Sequence, residues 1–471
     1  MDFLNKLIME ANNFIWTYIL IGMLITTGIY FTFRTKFVQF RNIKEMFRLL
    51  GDAGGKDTDK NSISSFEAFC ISTASRVGTG NLAGIATALA IGGPGAIFWM
   101  WLIALIGAAS SFIESTLAQI YKVKDNGSFR GGPAYYMEKG LKKRWMGVLF
   151  SVLIIISFGL VFNSVQANTI TLAFNDSFGI NRTSIGLIIT ALTLFIIFGG
   201  VNRIAKVSSV LVPIMAIAYI LVALFVVFKN FTEIPRVIAL IFENAFGINQ
   251  LVGGGMGAAL MQGIKRGLFS NEAGMGSAPN AAATATVSHP VKQGFIQTLG
   301  VFTDTLIICS CTAFIIILSG VPLDGKIKGI ELTQAALSSQ VGSWGGIFIS
   351  VCILLFAFSS IVGNYYYGEC NIQFITKKKI YLQIYRVIVG LMVFFGSIAS
   401  VDIVWNLADL FMGLMAITNL IAIVLLSNIA IKALNDYNKQ KKSGIKDPIF
   451  YASSIPELGP EVEEWQDKVF E

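Results

Sequence analysis

A single histidine, His289, and five cysteines are all that this 471-residue chain offers for soft-metal or thiol chemistry. One histidine excludes a His-rich metal centre and a histidine-based hydrolytic triad. Cys70, Cys309, Cys311, Cys352 and Cys370 all fall in or beside apolar segments. Cys309 and Cys311, two residues apart, face nearly opposite sides of a helix and are not spaced to chelate. The thiols read as small buried hydrophobes, without a disulfide framework. Charge is scarce as well: 14% of residues are charged and 54% hydrophobic, where a soluble globular protein carries about 25% charged residues. The opening stretch MDFLNKLIMEANN lacks a basic n-region and a small-residue cleavage site, so no cleaved signal peptide is expected.

What the chain has instead is apolar runs, many near the ~20 residues a helix needs to cross a bilayer. They fall at roughly 14–33, 66–91, 94–120, 145–175, 184–198, 205–228, 250–269, 294–318, 344–367, 380–397 and 403–426. This predicts an all-α polytopic membrane protein with about eleven spans. With the N-terminus outside, 28 of the 36 lysines and arginines fall on the inner side and 6 on the outer. That asymmetry is a topogenic signal. It accounts for the net charge of +8 without nucleic-acid binding, and places the C-terminus in the cytoplasm. Two amphipathic stretches, 131–144 and 331–340, lie between spans. The polar, proline-containing tail SSIPELGPEVEEWQDKVFE is expected to be poorly ordered.

Two apolar segments are interrupted by glycine and polar residues: STASRVGTGNLAG (72–84) and GGGMGAALMQGIKRGLFSNEAG (253–274). They lie five spans apart, so their directions are opposite, and each opens one half of a ten-span core. Matched interruptions in two inverted halves point to the binding site of a secondary transporter. A broken helix frees N–H and C=O groups that are tolerated in a membrane only where they line a cavity. There they suit a carboxylate and a small cation together. GTGNLAG also fits a loose dinucleotide pattern, but no preceding strand or following acidic partner supports that reading. Small-residue helix packing explains Gly253 and Gly257; it does not explain Arg76 or Asn81.

The stretches SRVGTGNLAGIATALAIGGPGAIFWMW and GIKRGLFSNEAGMGSAPNAAATA resemble the signature segments of the alanine or glycine:cation symporter family, and the likeness extends from about Phe14 to Leu426. The resemblance implies a LeuT-type fold: a five-plus-five inverted repeat, with broken first core helices in both halves and one extra N-terminal helix. It implies sodium-coupled, sometimes proton-coupled, import of small neutral amino acids such as alanine and glycine. VGTGN is similar to the VGLGN of the wider class, which implies Thr79 and Gly80 as carboxylate contacts and Asn81 as a side-chain ligand near substrate or sodium. It likewise implies a sodium site from the carbonyls of Ala74 and Val77 and the hydroxyls of Ser359 and Ser360. Packing or back-bonding to the preceding turn is the other reading of these two serines. Asn163 and Gln166, three apart, share a helix face and suit the substrate's amino group, or else an interhelical contact. In the second interrupted span, Gly263, Gly267 and Asn271 are candidate substrate contacts, with Phe269 an aromatic wall. Lys265 and Arg266 are expected at an inner vestibule, Trp405 and Asn406 at the outer approach.

Arg76 fits this picture least. An intramembrane charge needs a partner; Glu67, Glu114, Glu272, Asp304 and Asp409 are candidates, and an Arg76–Glu272 pair would serve as a gate or a helix lock. The organisation read from the sequence is an extra N-terminal span (1–33), a basic cytoplasmic linker (34–65), a first repeat (66–228), an extracellular connector (229–249), a second repeat (250–430) and a cytoplasmic tail (431–471). The same machinery tuned to glutamine, serine or another neutral amino acid is the nearest alternative. A channel or a membrane enzyme would need a filter repeat or a catalytic cluster, and neither is visible. The partners implied are the amino acid, sodium and the lipid bilayer; no prosthetic group is indicated.

Overall fold

The computed structural model describes residues 2–51, 63–125, 128–247, 255–327, 329–459 and 462–466. Gly253 and the start of the second interrupted span lie outside them. Twelve helices carry the architecture: α1 (Lys6–Arg34), α2 (Ser65–Arg76), α3 (Gly80–Gly92), α4 (Gly95–Ile120), α5 (Arg144–Phe178), α6 (Arg182–Ile197), α7 (Lys206–Lys229), α8 (Gly255–Asn271), α9 (Val291–Ser319), α10 (Trp344–Ile375), α11 (Lys379–Ile398) and α12 (Val401–Lys442). Among the described residues, eight of these are long and apolar enough to cross a membrane unaided: α1, α4, α5, α7, α9, α10, α11 and α12. One short hairpin, β1 (Val123–Asp125) with β2 (Ser128–Arg130), is antiparallel.

Burial sorts the helices. α2 is buried on every side from Ala68 to Arg76, and α4 from Gly107 to Ile120, the mark of a helix inside a bundle. α7 and α11 present large apolar side chains outward, among them Ile214, Leu221, Phe228, Val387 and Leu391, as a lipid-facing surface does. α8 packs along α4, and α10 packs against α2 and α5. α2 starts at a capping box in which the Ser64 hydroxyl accepts from the Glu67 amide while the Glu67 carboxylate accepts from the Ser64 amide.

Three of the long helices widen locally into π turns, at Ile15–Leu20, Ile155–Phe162 and Thr303–Cys309, and α3 opens with one at Gly80–Gly84. Such turns leave carbonyls without their usual partners and concentrate at functional sites.

The C-terminal tail corrects its sequence expectation. It folds onto the lysine- and arginine-rich end of the bundle, burying Phe450, Ala452, Ile455, Val462 and Trp465. The Phe450 amide donates to the Ser288 carbonyl and the Ser288 hydroxyl to the Pro448 carbonyl. Trp465 Nε1 donates to the Gln119 carbonyl at 2.9 Å. Isolated apolar residues in a polar stretch carry no periodic signal, yet each of these is buried.

Candidate functional site

The first break lies between α2 and α3. Val77 leaves the helix with φ −80° and ψ 91°, which frees the amides of Gly78 and Thr79 and the carbonyl of Val77. Three side chains from three elements serve them. Asn81 Oδ1 accepts from the Gly78 amide at 2.9 Å, and Gln166 Oε1, on α5, accepts from the Thr79 amide at 2.9 Å. The Ser360 hydroxyl, on α10, lies 3.3 Å from the Val77 carbonyl. Glycine is required by crowding. A Cβ on Gly78 would collide with the Ser360 hydroxyl and stand 2.8 Å from Gln166 Oε1. One on Gly80 would stand 2.9 Å from the Phe269 ring.

Beside the break sits Asp304, fully buried in the wide turn of α9. Its Oδ1 accepts from Asn81 Nδ2 at 2.7 Å; its Oδ2 accepts from the Ser270 and Thr305 hydroxyls at 2.8 and 2.9 Å. Asp304 thereby joins α3, α8 and α9. Sequence reasoning considered it only as a partner for Arg76; the signal available was an acid inside an apolar span.

Toward the less basic end, Phe269 packs at a tilt between Phe162, with centroids 4.6 Å apart, and Trp405 at 4.9 Å. The Arg266 guanidinium lies over the Trp405 ring at 4.5 Å and forks onto Asp409, Nη1 to Oδ1 at 3.1 Å and Nη2 to Oδ2 at 2.9 Å. Lys265 Nζ also reaches Asp409 Oδ2 at 3.1 Å. Above this layer opens a cavity of about 420 Å³ whose walls include Thr87, Asn168, Gln262, Glu331, Asp402 and Asn406. Lys265 and Arg266 therefore share one vestibule with Trp405 and Asn406, where the sequence expectation sets the two pairs at opposite ends. α8 runs unbroken to Asn271, and that carries both residues up to Asp409.

The second break comes later than predicted. It follows α8, at Glu272–Ala278, where Gly274 and Gly276 take φ of +81° and +87° and Glu272 takes +58°. Gly263 and Gly267 are packing positions: a Cβ on the first would strike the Ala96 carbonyl, and one on the second would stand 3.0 Å from Ile103. Asn271 caps the break, its Oδ1 accepting from the Ala273 amide. Glu114 spans it, accepting from the Gly274 and Gly276 amides at 3.1 Å each and from Asn419 Nδ2 at 2.8 Å. Asn163 donates to its own helix, at the Gly159 carbonyl. Ser359 and Ser360 both donate back to the Phe356 carbonyl, at 2.8 and 3.0 Å, and only Ser360 also reaches Val77. Ala74 is buried.

Arg76 makes no ion pair with Glu272 or with any other described acid, which corrects the expected pairing. Its Nη1 donates to the Gln297 carbonyl at 3.3 Å, and its Nε and Nη2 have no partner although only 2% of the residue is exposed. It lies close enough to Glu114, Glu272 and Asp304 to act on all three electrostatically. One guanidinium thus stands among three buried carboxylates.

The chain that carries this break is matched by a family model. The model for the sodium:alanine symporter family covers residues 1–452. The chain belongs to that family. Members similar to it include the probable sodium/glutamine symporter GlnT of Bacillus subtilis (strain 168), 63% identical over 94% of this chain and 92% of that protein. The amino-acid carrier protein AlsT of the same strain is 57% identical over 99% of both. Among solved structures, MhsT in complex with L-phenylalanine superposes with a TM-score of 0.56, covering 79% of this chain and 98% of that one at 15% identity. That likeness establishes the LeuT-type fold of this family member and nothing finer. The family and these relatives are transporters, not enzymes.

Proposed function

We propose that this family member is a sodium-coupled symporter that imports a neutral amino acid by alternating access. The observation that carries the reading is the break at Val77–Thr79. Its freed amides are held by the side-chain oxygens of Asn81 and Gln166, with the Phe269 ring packed against Gly80, and its Val77 carbonyl meets the Ser360 hydroxyl at 3.3 Å. The amides of Thr79 and Gly80 suit a carboxylate, and Gln166 Oε1 holds the place that a carboxylate oxygen would take on Thr79. Sodium prefers oxygen ligands; the carbonyls of Ala74 and Val77 with the hydroxyls of Ser359 and Ser360 supply them. The hydroxyls need only turn from their bonds to Phe356.

The halves 66–228 and 250–430 act as the two inverted repeats, with the N-terminus outside and the C-terminus in the cytoplasm, in the plasma membrane. Moving Lys265 and Arg266 to the outer vestibule leaves the excess of basic residues at the inner end intact. The 63% relative's name favours glutamine as substrate; the family's description favours alanine. Labelled alanine and glutamine, offered to proteoliposomes under an inward sodium gradient, test this. Accumulation of either one that vanishes when sodium is replaced by potassium supports the reading. Accumulation that follows a pH gradient and ignores sodium defeats the sodium assignment.

A further inference from the structure

A second cluster of oxygens lies about one helical turn, some 5–6 Å, closer to the basic end than the Val77–Ser360 contact, because Asn364 follows Ser360 by four residues on α10. The Ser75 hydroxyl is 2.7 Å from Glu272 Oε1 and 2.7 Å from Asn364 Oδ1. The Ser277 hydroxyl donates to Glu272 Oε2 at 2.6 Å. Glu272 and Asn364 are 1% exposed, Ser277 is wholly buried and Ser75 is 5% exposed.

Among the described residues this cluster makes no ion pair: the Arg76 guanidinium acts on Glu272 only from beyond salt-bridge distance. Ser75 has one hydroxyl proton and two acceptors, so one acceptor goes without. Turning the Asn364 amide over lets Nδ2 donate to Ser75 and frees the Ser75 proton for Glu272, but it then leaves the buried Oδ1 without a donor, in the place where Nδ2 has no partner. The Tyr367 hydroxyl, fully buried beside Ser75 and Glu272, also lacks a well-formed hydrogen bond. The three carboxylates near Arg76 differ in their donors. Glu114 is met by three N–H groups and Asp304 by one, with two hydroxyls. Among the described residues Glu272 is met by hydroxyls alone. An N–H group can only donate, whereas a hydroxyl can turn its lone pairs to a cation.

We propose that Glu272, Ser75, Ser277 and Asn364 form a binding site for a monovalent cation, a sodium site distinct from the one on Ala74, Val77, Ser359 and Ser360. It rests on the sodium-coupled reading given above. One carboxylate among neutral oxygens suits a single positive charge; a divalent ion takes more carboxylates and more ligands. The ion would tie α2, α10 and the second break together, with Glu272 at the left-handed residue that ends α8. An ion leaving the Ser360 contact toward the basic end meets this cluster next.

Equilibrium binding of radioactive sodium to the purified full-length protein tests the proposal. Glu272→Gln should lower the number of sodium ions bound per chain by one. Ser360→Ala should remove a different ion, so that the double variant loses both. Ser75→Ala and Asn364→Ala, which keep the carboxylate, should weaken one class of site by about tenfold or more. Glu272→Asp should keep the full number of ions at reduced affinity. If Glu272→Gln fails to fold, as thermal unfolding would reveal, the Ser75 and Asn364 variants carry the test. An unchanged sodium isotherm in folded Glu272→Gln, or in both Ser75→Ala and Asn364→Ala, overturns the inner site and leaves sodium coupling standing. No saturable sodium binding by the wild type overturns both.

Discussion

Arg266 and Asp409 are joined by two hydrogen bonds of 3.1 and 2.9 Å, with the guanidinium over the Trp405 ring. The pair bridges α8 and α12 at the floor of the vestibule, where both residues are almost fully buried. Breaking a buried pair strands the remaining charge, at a cost of about 3–5 kcal/mol. Here Asp409→Asn strands two cations, Arg266 and Lys265. It should lower the unfolding temperature and abolish uptake. Arg266→Lys keeps the charge but loses the fork and the ring contact, and should retain stability better than Asp409→Asn while still slowing uptake. Equal behaviour of the two variants in unfolding and flux assays would contradict this.

Gly80 and Phe269 form a steric couple. Gly80→Ala places a methyl 2.9 Å from the Phe269 ring and 3.3 Å from the Ser270 Cα. The ring is pinned by Phe162 and Trp405, so it cannot yield cheaply. Gly80→Ala should abolish substrate binding, and Phe269→Leu in the same chain should restore part of it. The recovery is the interaction term of a double-mutant cycle, read by equilibrium binding of labelled substrate.

Gln166→Glu sets a negative charge on the Thr79 amide, where the substrate's carboxylate is proposed to bind. Two like charges about 4 Å apart at an effective dielectric of 20 repel by about 4 kcal/mol. The substrate concentration for half-maximal uptake should therefore rise by at least about tenfold, with sodium dependence little changed. A shift in sodium dependence alone would place Gln166 at the cation instead.

Trp465 closes the basic end. Its indole donates to Gln119, and Lys122 Nζ lies 4.9 Å from its centroid and 3.8 Å from that of Phe129. Trp465→Ala should loosen the tail, since removing a buried tryptophan costs about 3–5 kcal/mol. Limited proteolysis should then cut between residues 443 and 459 under conditions that spare the wild type.

His289 gives that docking a pH dependence. Burial between Tyr437 and Phe450 holds its pKa below the usual 6.5, and the Asp436 carboxylate only partly offsets this. A base with a depressed pKa opposes the folded form as pH falls through its free value, because the undocked histidine takes the proton more readily. A nitroxide on a cysteine introduced at Ser454 should become more mobile as the pH drops from about 7.5 to about 5.5. His289→Gln should abolish the change.

Much of the fold was legible because membrane helices declare themselves by length and apolarity, and the first break because Gly78, Gly80 and Asn81 cluster inside an apolar run. The second break was misplaced for a physical reason. Gly263 and Gly267 look like interruptions, but they let α8 lie close along α4, while Gly274 and Gly276, with positive φ, turn the chain. A lone glycine does not say which of the two it serves. Asp304 and Ser270 come together only in three dimensions, 34 residues apart. The tail was hidden because its buried residues, Phe450, Ile455 and Trp465, follow no helical or strand period. Arg76 stands among three carboxylates without pairing to one, an arrangement that no spacing rule anticipates.

The central claim is that amino acid and sodium move together through the Val77–Thr79 break. The most direct measurement reverses the usual assay. Proteoliposomes with equal sodium on both sides receive an inward gradient of alanine or of glutamine, and entry of radioactive sodium is followed. Sodium should enter against no gradient of its own, and Ser360→Ala should reduce that entry. Amino acid entering while sodium stays at its background leak would contradict the account.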